Sequence, residues 1–178
     1  MTTKILLAGF GGQGILFAGK QLAKTAMYSD LQVSWLPSYG PEMRGGAANC
    51  SVIISDEEIG SPIVTAPDVL IALNLPSFDK FEPKIVPGGL LIADSTLIAK
   101  ESARTDIRIC RIPATGLAYE NGLDGFANVI ILGYLLKQTG IFAYDKFLEL
   151  MVGGIPASKA ALIDKNKRAL ELGYNYEA

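Results

Sequence analysis

The sequence predicts an α/β fold: a mostly parallel sheet flanked by helices, with a helical C-terminal third. Three observations carry this. Short apolar runs bounded by glycine or proline alternate with stretches of helical spacing, as strand–helix–strand units require. A glycine-rich turn separates the first such run from the first helical stretch, and the last third repeats apolar residues at spacings of three and four. The chain has 178 residues, 49% of them apolar, so a single domain spanning residues 1–178 is expected to bury its own core.

In chain order, residues 4–9 (KILLAG) form a short apolar run ended by glycine and read as a buried strand. After the turn Gly9–Gly14, the residues Ile15, Ala18, Gly19, Leu22, Ala23 and Ala26 line one face of a helix. Residues 32–36 (QVSWL) and 48–55 (ANCSVIIS) read as strands. The segment SYGPEMRGGA between them is too rich in glycine and proline for regular structure and is read as a long binding loop. Strands follow at 68–73 (DVLIAL), 89–93 (GLLIA) and 107–112 (IRICRI), with a short helix near residues 77–86. Helical spacing covers 125–139, 144–152 and 158–172, and Ser158 is placed to cap the last helix. No internal repeat or low-complexity segment interrupts this order.

Composition excludes several functions. The 16 basic and 18 acidic residues give a net charge of −2 and are spread along the chain, which argues against a nucleic-acid partner. There is no histidine, and only two cysteines, too few thiolates for an iron–sulfur cluster and no imidazole base. Any redox chemistry must come from a cofactor or a partner. Cys50 and Cys110 each lie in a strand-like run and suit buried free thiols in a reducing, cytoplasmic setting. Residues 4–20 superficially resemble a signal peptide, but five glycines and a glutamine interrupt them, and no apolar run is long enough to span a membrane. A mean hydropathy of +0.30 leaves two readings open: a well-filled core, or an apolar surface covered by another chain.

The turn Gly9-Phe10-Gly11-Gly12-Gln13-Gly14 matches G-x-G-x-x-G between a strand and a helix, the context of a Rossmann-like fold. Glycine lets the backbone turn sharply and approach a ligand, and the free N–H groups of a helix start favour an anion. Glycines serving only close strand–helix packing would give the same pattern. A dinucleotide reading also wants an acidic residue at the end of the second strand. Here that strand ends in Trp35-Leu36-Pro37, and Asp30 and Asp56 are wrongly placed.

In the long loop, Arg44 is followed by two glycines and can fork onto a phosphate or carboxylate, while Tyr39 and Met43 can cover an apolar ring. Glu42 and Arg44 as an exposed or intersubunit ion pair is the plainer alternative. Asn128, in an apolar helix, is expected to brace the glycine loops from behind, because a buried amide needs partners. Asp94-Ser95-Thr96, at a strand end, reads either as part of a ligand crevice or as a helix cap. No residue qualifies as a nucleophile or general base.

Taken together, GFGGQG, PSYGPEMRGGAANCSVIIS, SPIVTAPDVLIALN, IPAT and ANVIILG resemble, in order and spacing, the gamma subunit of 2-oxoacid:ferredoxin oxidoreductases over residues 4–136. The PEMRGG loop leading into ANCSV is most similar to members acting on 2-oxoglutarate or branched-chain 2-oxoacids, with pyruvate possible. The resemblance implies an enzyme complex that decarboxylates a 2-oxoacid with coenzyme A, giving acyl-CoA, carbon dioxide and two electrons for ferredoxin. It implies no cofactor held by this chain alone, with thiamine diphosphate and iron–sulfur clusters on partner alpha, beta and delta subunits. It places Gly11, Gly12, Gln13 and Gly14 with Tyr39, Glu42, Met43 and Arg44 at the boundary of the coenzyme A chamber. Alone, such a chain is expected to be inactive and to self-associate, a homodimer being the commonest closed form. A stand-alone dinucleotide-dependent reductase and a non-enzymatic ligand-binding scaffold remain the alternatives.

Overall fold

A computed structural model of the chain describes residues 1–38 and 47–177. Six strands form one sheet: β1 (Thr2–Phe10), β2 (Gln32–Ser38), β3 (Ala47–Ser55), β4 (Val69–Ala72), β5 (Leu90–Asp94) and β6 (Arg108–Ile112), ordered β2-β3-β1-β4-β5-β6. From β1 to β6 the pairing is parallel, with Ile5 opposite Val69, Val69 opposite Leu90 and Leu90 opposite Arg108. Strand β3 runs antiparallel to both its neighbours, with Leu7 opposite Cys50 and Trp35 opposite Val52. The sheet is therefore mixed, and the parallel part is the half the sequence made most apolar. The reason β3 reverses is length: residues 39–46 are too few for a parallel crossover, which needs about a dozen residues or more.

Strands β4 and β5 are buried along their whole length, as parallel strands covered on both faces must be. On one face Ile5, Leu7, Cys50, Val52, Ile71 and Ile92 meet α1 (Ile15–Met27), α3 (Ala114–Glu120), α4 (Ala127–Thr139), α5 (Tyr144–Gly153) and α6 (Ala160–Tyr174) in a single large core. On the other, Leu6, Ala8, Leu70 and Leu91 meet Phe78 and Phe81 of α2 (Leu75–Phe81). The alternation of strand residues between the faces is the period-2 rule in operation. Helix α4 is apolar all round because it is buried all round: residues 128–136 are all shielded, between the sheet on one side and α3 and α6 on the other.

The α4–α6 crossing is closer than ordinary side chains allow. A Cβ at Gly133 would stand 2.0 Å from the Leu170 carbonyl oxygen, and one at Gly173 would stand 1.8 Å from that of Ile130. Each helix thus contributes one glycine so that the two backbones touch.

Several boundaries differ from those read in the sequence. The helix expected at 77–86 begins at Leu75, capped by Asn74, and tightens into a 3₁₀ turn over Glu82–Lys84, where Pro83 removes an amide. Ser158 caps nothing; it lies within a 3₁₀ turn, Ala157–Lys159, ahead of α6. Helix α3 escaped the periodicity analysis because seven residues, one of them a glycine, make too little pattern. Both thiols are free, Cys50 buried as expected but Cys110 only half-buried, because β6 is an edge strand. Among the described residues no helix is long and apolar enough to cross a membrane. Gly173→Ala is expected to cost at least about 2 kcal/mol, the upper range of core overpacking, read as a lowered midpoint in urea unfolding.

Candidate functional site

Five strands end at one edge of the sheet, at Phe10, Ser38, Ala72, Asp94 and Ile112, and β3 begins there at Ala47. The chain leaving β1 passes through α1 to β2 on one side, while β4, β5 and β6 build outward on the other. The glycine turn therefore occupies the point where strand order diverges, the usual ligand crevice of open α/β sheets.

The turn is held by its own residues. Phe10 N–H donates to Gln13 Oε1 at 2.6 Å, and Gln13 Nε2 donates to the Leu73 carbonyl at 2.9 Å, so this one amide ties the β1 turn to the end of β4. Gly12 and Gly14 have φ of 98° and 75°, a region that favours glycine. Gly14 forms the N-cap of α1. Its carbonyl accepts from Asn128 Nδ2 at 3.2 Å, and a Cβ there would stand 2.3 Å from that same nitrogen. Asn128 is thus the brace expected from the sequence, and Gln13 spends both ends of its amide on backbone. Gly12 remains exposed and Gly11 half-exposed, with open space above Gly12.

Beside the turn, Asp94 is fully buried and acts as a clamp. Its Oδ2 accepts from Thr115 N at 3.1 Å and from the Thr115 hydroxyl at 2.5 Å, and its Oδ1 accepts from Thr96 N at 3.0 Å. Thr96 Oγ1 accepts from Gly116 N at 3.0 Å. Two amides at the start of α3 are therefore capped by the end of β5, which settles Asp94-Ser95-Thr96 as a cap. Asn74, which the motif analysis left without a role, caps α2 through Ser77 N at 2.8 Å. The Asn74 Nδ2 and Ser77 Oγ atoms are buried with no partner among the described residues. The signal in the sequence was the Asn-x-Pro-Ser that follows an apolar strand, a helix-start pattern.

Of the remaining candidates, Tyr39, Glu42, Met43 and Arg44 lie outside the described residues. The acidic residues weighed for a ribose are far from the turn. Asp30, with φ of 56°, precedes β2, and Asp56 follows β3 and pairs with the chain's own amino terminus, both at the opposite edge. That edge also carries a cavity of about 800 Å³ over Ile5, Val69 and Leu90. Of the candidate residues only Asp56 lines it, so size alone does not mark the site. Cys50 is shut beneath α1, where a Cβ on Gly19 would meet its sulfur at 2.4 Å. Burial pushes this thiol up to about 12, against weaker lowering from the Trp35 side chain and Gly19 backbone. Among the described residues no cluster of metal-ligating side chains forms.

The family profile described as pyruvate ferredoxin/flavodoxin oxidoreductase matches residues 4–176. The chain belongs to this family. Ketoisovalerate oxidoreductase subunit VorA of Methanothermobacter thermautotrophicus is 40% identical over 96% of this chain and 35% of its own length. The chain thus spans about a third of that relative. 2-Oxoglutarate synthase subunit KorC of Methanocaldococcus jannaschii is 36% identical over 98% of this chain and 93% of its own. The crystal structure of the keto/oxoacid ferredoxin oxidoreductase gamma subunit from Geobacter sulfurreducens superposes with a TM-score of 0.84 at 30% identity, covering 98% of this chain and 95% of that one. The α/β fold expected from the sequence is that of a family gamma subunit.

Gln13→Ala leaves the Phe10 amide and Leu73 carbonyl without partners and is expected to cost about 1–3 kcal/mol, measurable as faster hydrogen exchange at Phe10 and a lowered melting temperature. In the native protein at pH 8.5, iodoacetamide should label Cys110 well before Cys50, as counted by mass spectrometry.

Proposed function

We propose that this chain is the gamma component, a single gamma-type domain over residues 1–178, of a cytoplasmic 2-oxoacid:ferredoxin oxidoreductase complex. In this reading the complex converts a 2-oxoacid and coenzyme A to acyl-CoA and carbon dioxide and passes two electrons to ferredoxin. The observation that carries it is the glycine turn: Gln13 and Asn128 fix it from inside, and Gly11 and Gly12 stay open to whatever docks on the carboxyl edge.

The donor set supports a division of labour. Two cysteines on β3 and β6, on opposite sides of the sheet centre, do not fit an iron–sulfur cluster, which requires about four converging thiolates. Thiamine diphosphate and the clusters therefore belong, in this reading, to the alpha, beta and delta partners. The names of the two relatives favour a branched-chain 2-oxoacid or 2-oxoglutarate as substrate, with pyruvate the remaining choice. The length of VorA supports a large companion chain: there the matched stretch makes up only 35% of the protein.

This chain's part is enclosure. A rigid glycine turn, together with the loop of Tyr39, Glu42, Met43 and Arg44, closes the chamber where the coenzyme A thiol meets the acyl group. Excluding water there favours transfer over hydrolysis. Arg44 supplies a fork for a coenzyme A phosphate. The tagged chain, purified from its source, should bring thiamine- and cluster-bearing companions and coenzyme A-dependent 2-oxoacid oxidation; the isolated chain should be inactive and dimeric. Arg44→Ala in the assembled complex should raise KM for coenzyme A on the order of tenfold, the loss of one charge-assisted contact. Hydride transfer by the isolated chain with NAD or FAD would instead establish the reductase alternative.

A further inference from the structure

Between the Asp94 clamp and the first turn of α4 lies a groove of about 400 Å³ that neither the glycine turn nor its braces occupy. Its floor is made of residues too small to fill it: Gly116, Ala118, Gly125 and Ala127. Gly125 has φ of 83°, and a Cβ built on it would meet nothing. Tyr119 forms a wall with 77% of its surface exposed. Asp124 stands on the rim, exposed, with no ion pair or hydrogen bond among the described residues. A bed of small residues, a bare aromatic face and an unpaired carboxylate match one kind of guest. A long basic side chain lays its methylenes on the bed, turns its charge to the carboxylate, and lies against the negative face of the ring.

We propose that this groove docks an arginine or lysine of the companion chain, the one corresponding to the part of VorA that lies beyond the matched stretch. The proposal rests on the gamma-component reading. Charge complementarity argues for the guest, and chain length argues for its owner. In VorA the matched stretch is one third of a longer chain, so covalent linkage holds its neighbours at high effective concentration. In KorC the match covers 93% of the chain, and a separate chain must hold its place by surface contacts alone. The groove is well sited for that. Ala127 lines it, and the next residue, Asn128, bonds the Gly14 carbonyl, so a guest here sets the glycine turn at a fixed position on the companion.

The test uses the native complex, with wild-type and variant chains competing for the companion and dissociation followed by analytical ultracentrifugation. Asp124→Asn and Tyr119→Ala should each weaken association about tenfold, within the range of interface hot spots. Glu120→Gln, a neighbouring charge outside the groove, should not. Raising salt from about 0.1 to about 1 M should weaken the wild-type complex more than the Asp124→Asn complex, since exposed charge pairs are screened. Wild-type affinity in both groove variants overturns the proposal, as does equal weakening by Glu120→Gln. Normal assembly with a raised KM for coenzyme A would also overturn it, by giving the groove to a small ligand. If the wild-type chain finds no companion at all, the gamma-component reading itself fails.

Discussion

The amide of Gln13 is the contact on which the carboxyl edge depends. It receives the Phe10 amide and reaches across to the Leu73 carbonyl, fixing the end of β1 relative to the end of β4. Those two strands are where the sheet's order diverges, and the tie, together with the Asn128 brace on Gly14, sets the height of the turn above the crevice. Close packing enforces the rest. A Cβ at Gly9 would stand 2.5 Å from the Gln13 oxygen, and one at Gly14 would collide with Asn128. The glycines therefore serve two demands at once, leaving room for the side chains that brace the turn and leaving its outer surface open.

Helix α4 carries the second constraint outward. Its first turn holds Asn128 against Gly14, its middle fills the core, and Gly133 lies on α6 backbone to backbone. One buried helix thus connects the site to the C-terminal helix. Lys24 adds a smaller link of the same kind, donating from α1 to the Leu150 carbonyl near the end of α5 at 2.6 Å. The candidate site is supported by elements from the whole length of the chain, though the motif that marks it occupies only Gly9–Gly14.

Much of this was legible in the sequence. Strands declared themselves as short apolar runs and long helices by their spacing, and the bracing role of Asn128 followed from one polar residue in an apolar helix. What escaped had local and physical reasons. The sense of β3 is set by a connection too short for a crossover, not by its own residues. Helix α3 is held from outside by Asp94 and Thr96, so its seven residues needed no pattern of their own. Gln13 can reach a backbone or a ligand carbonyl as far as the sequence tells, and only the position of Leu73 in space gives each end of its amide a backbone partner. Ser158 had the right chemistry for a cap but sits inside a 3₁₀ turn, Ala157–Lys159, that Pro156 leads into.

The reversed sense of β3 has a further effect. Because β2 runs up to the carboxyl edge and β3 starts back from it, both anchors of the 39–46 segment, Ser38 and Ala47, stand beside the glycine turn. Ser38 is locked opposite Asn49 in the ladder. Rewriting the segment between such anchors at its present length touches none of the residues that pair in the ladder. A lineage can therefore change the side chains offered at this edge by editing one connection, while the ladder beneath it keeps its own residues.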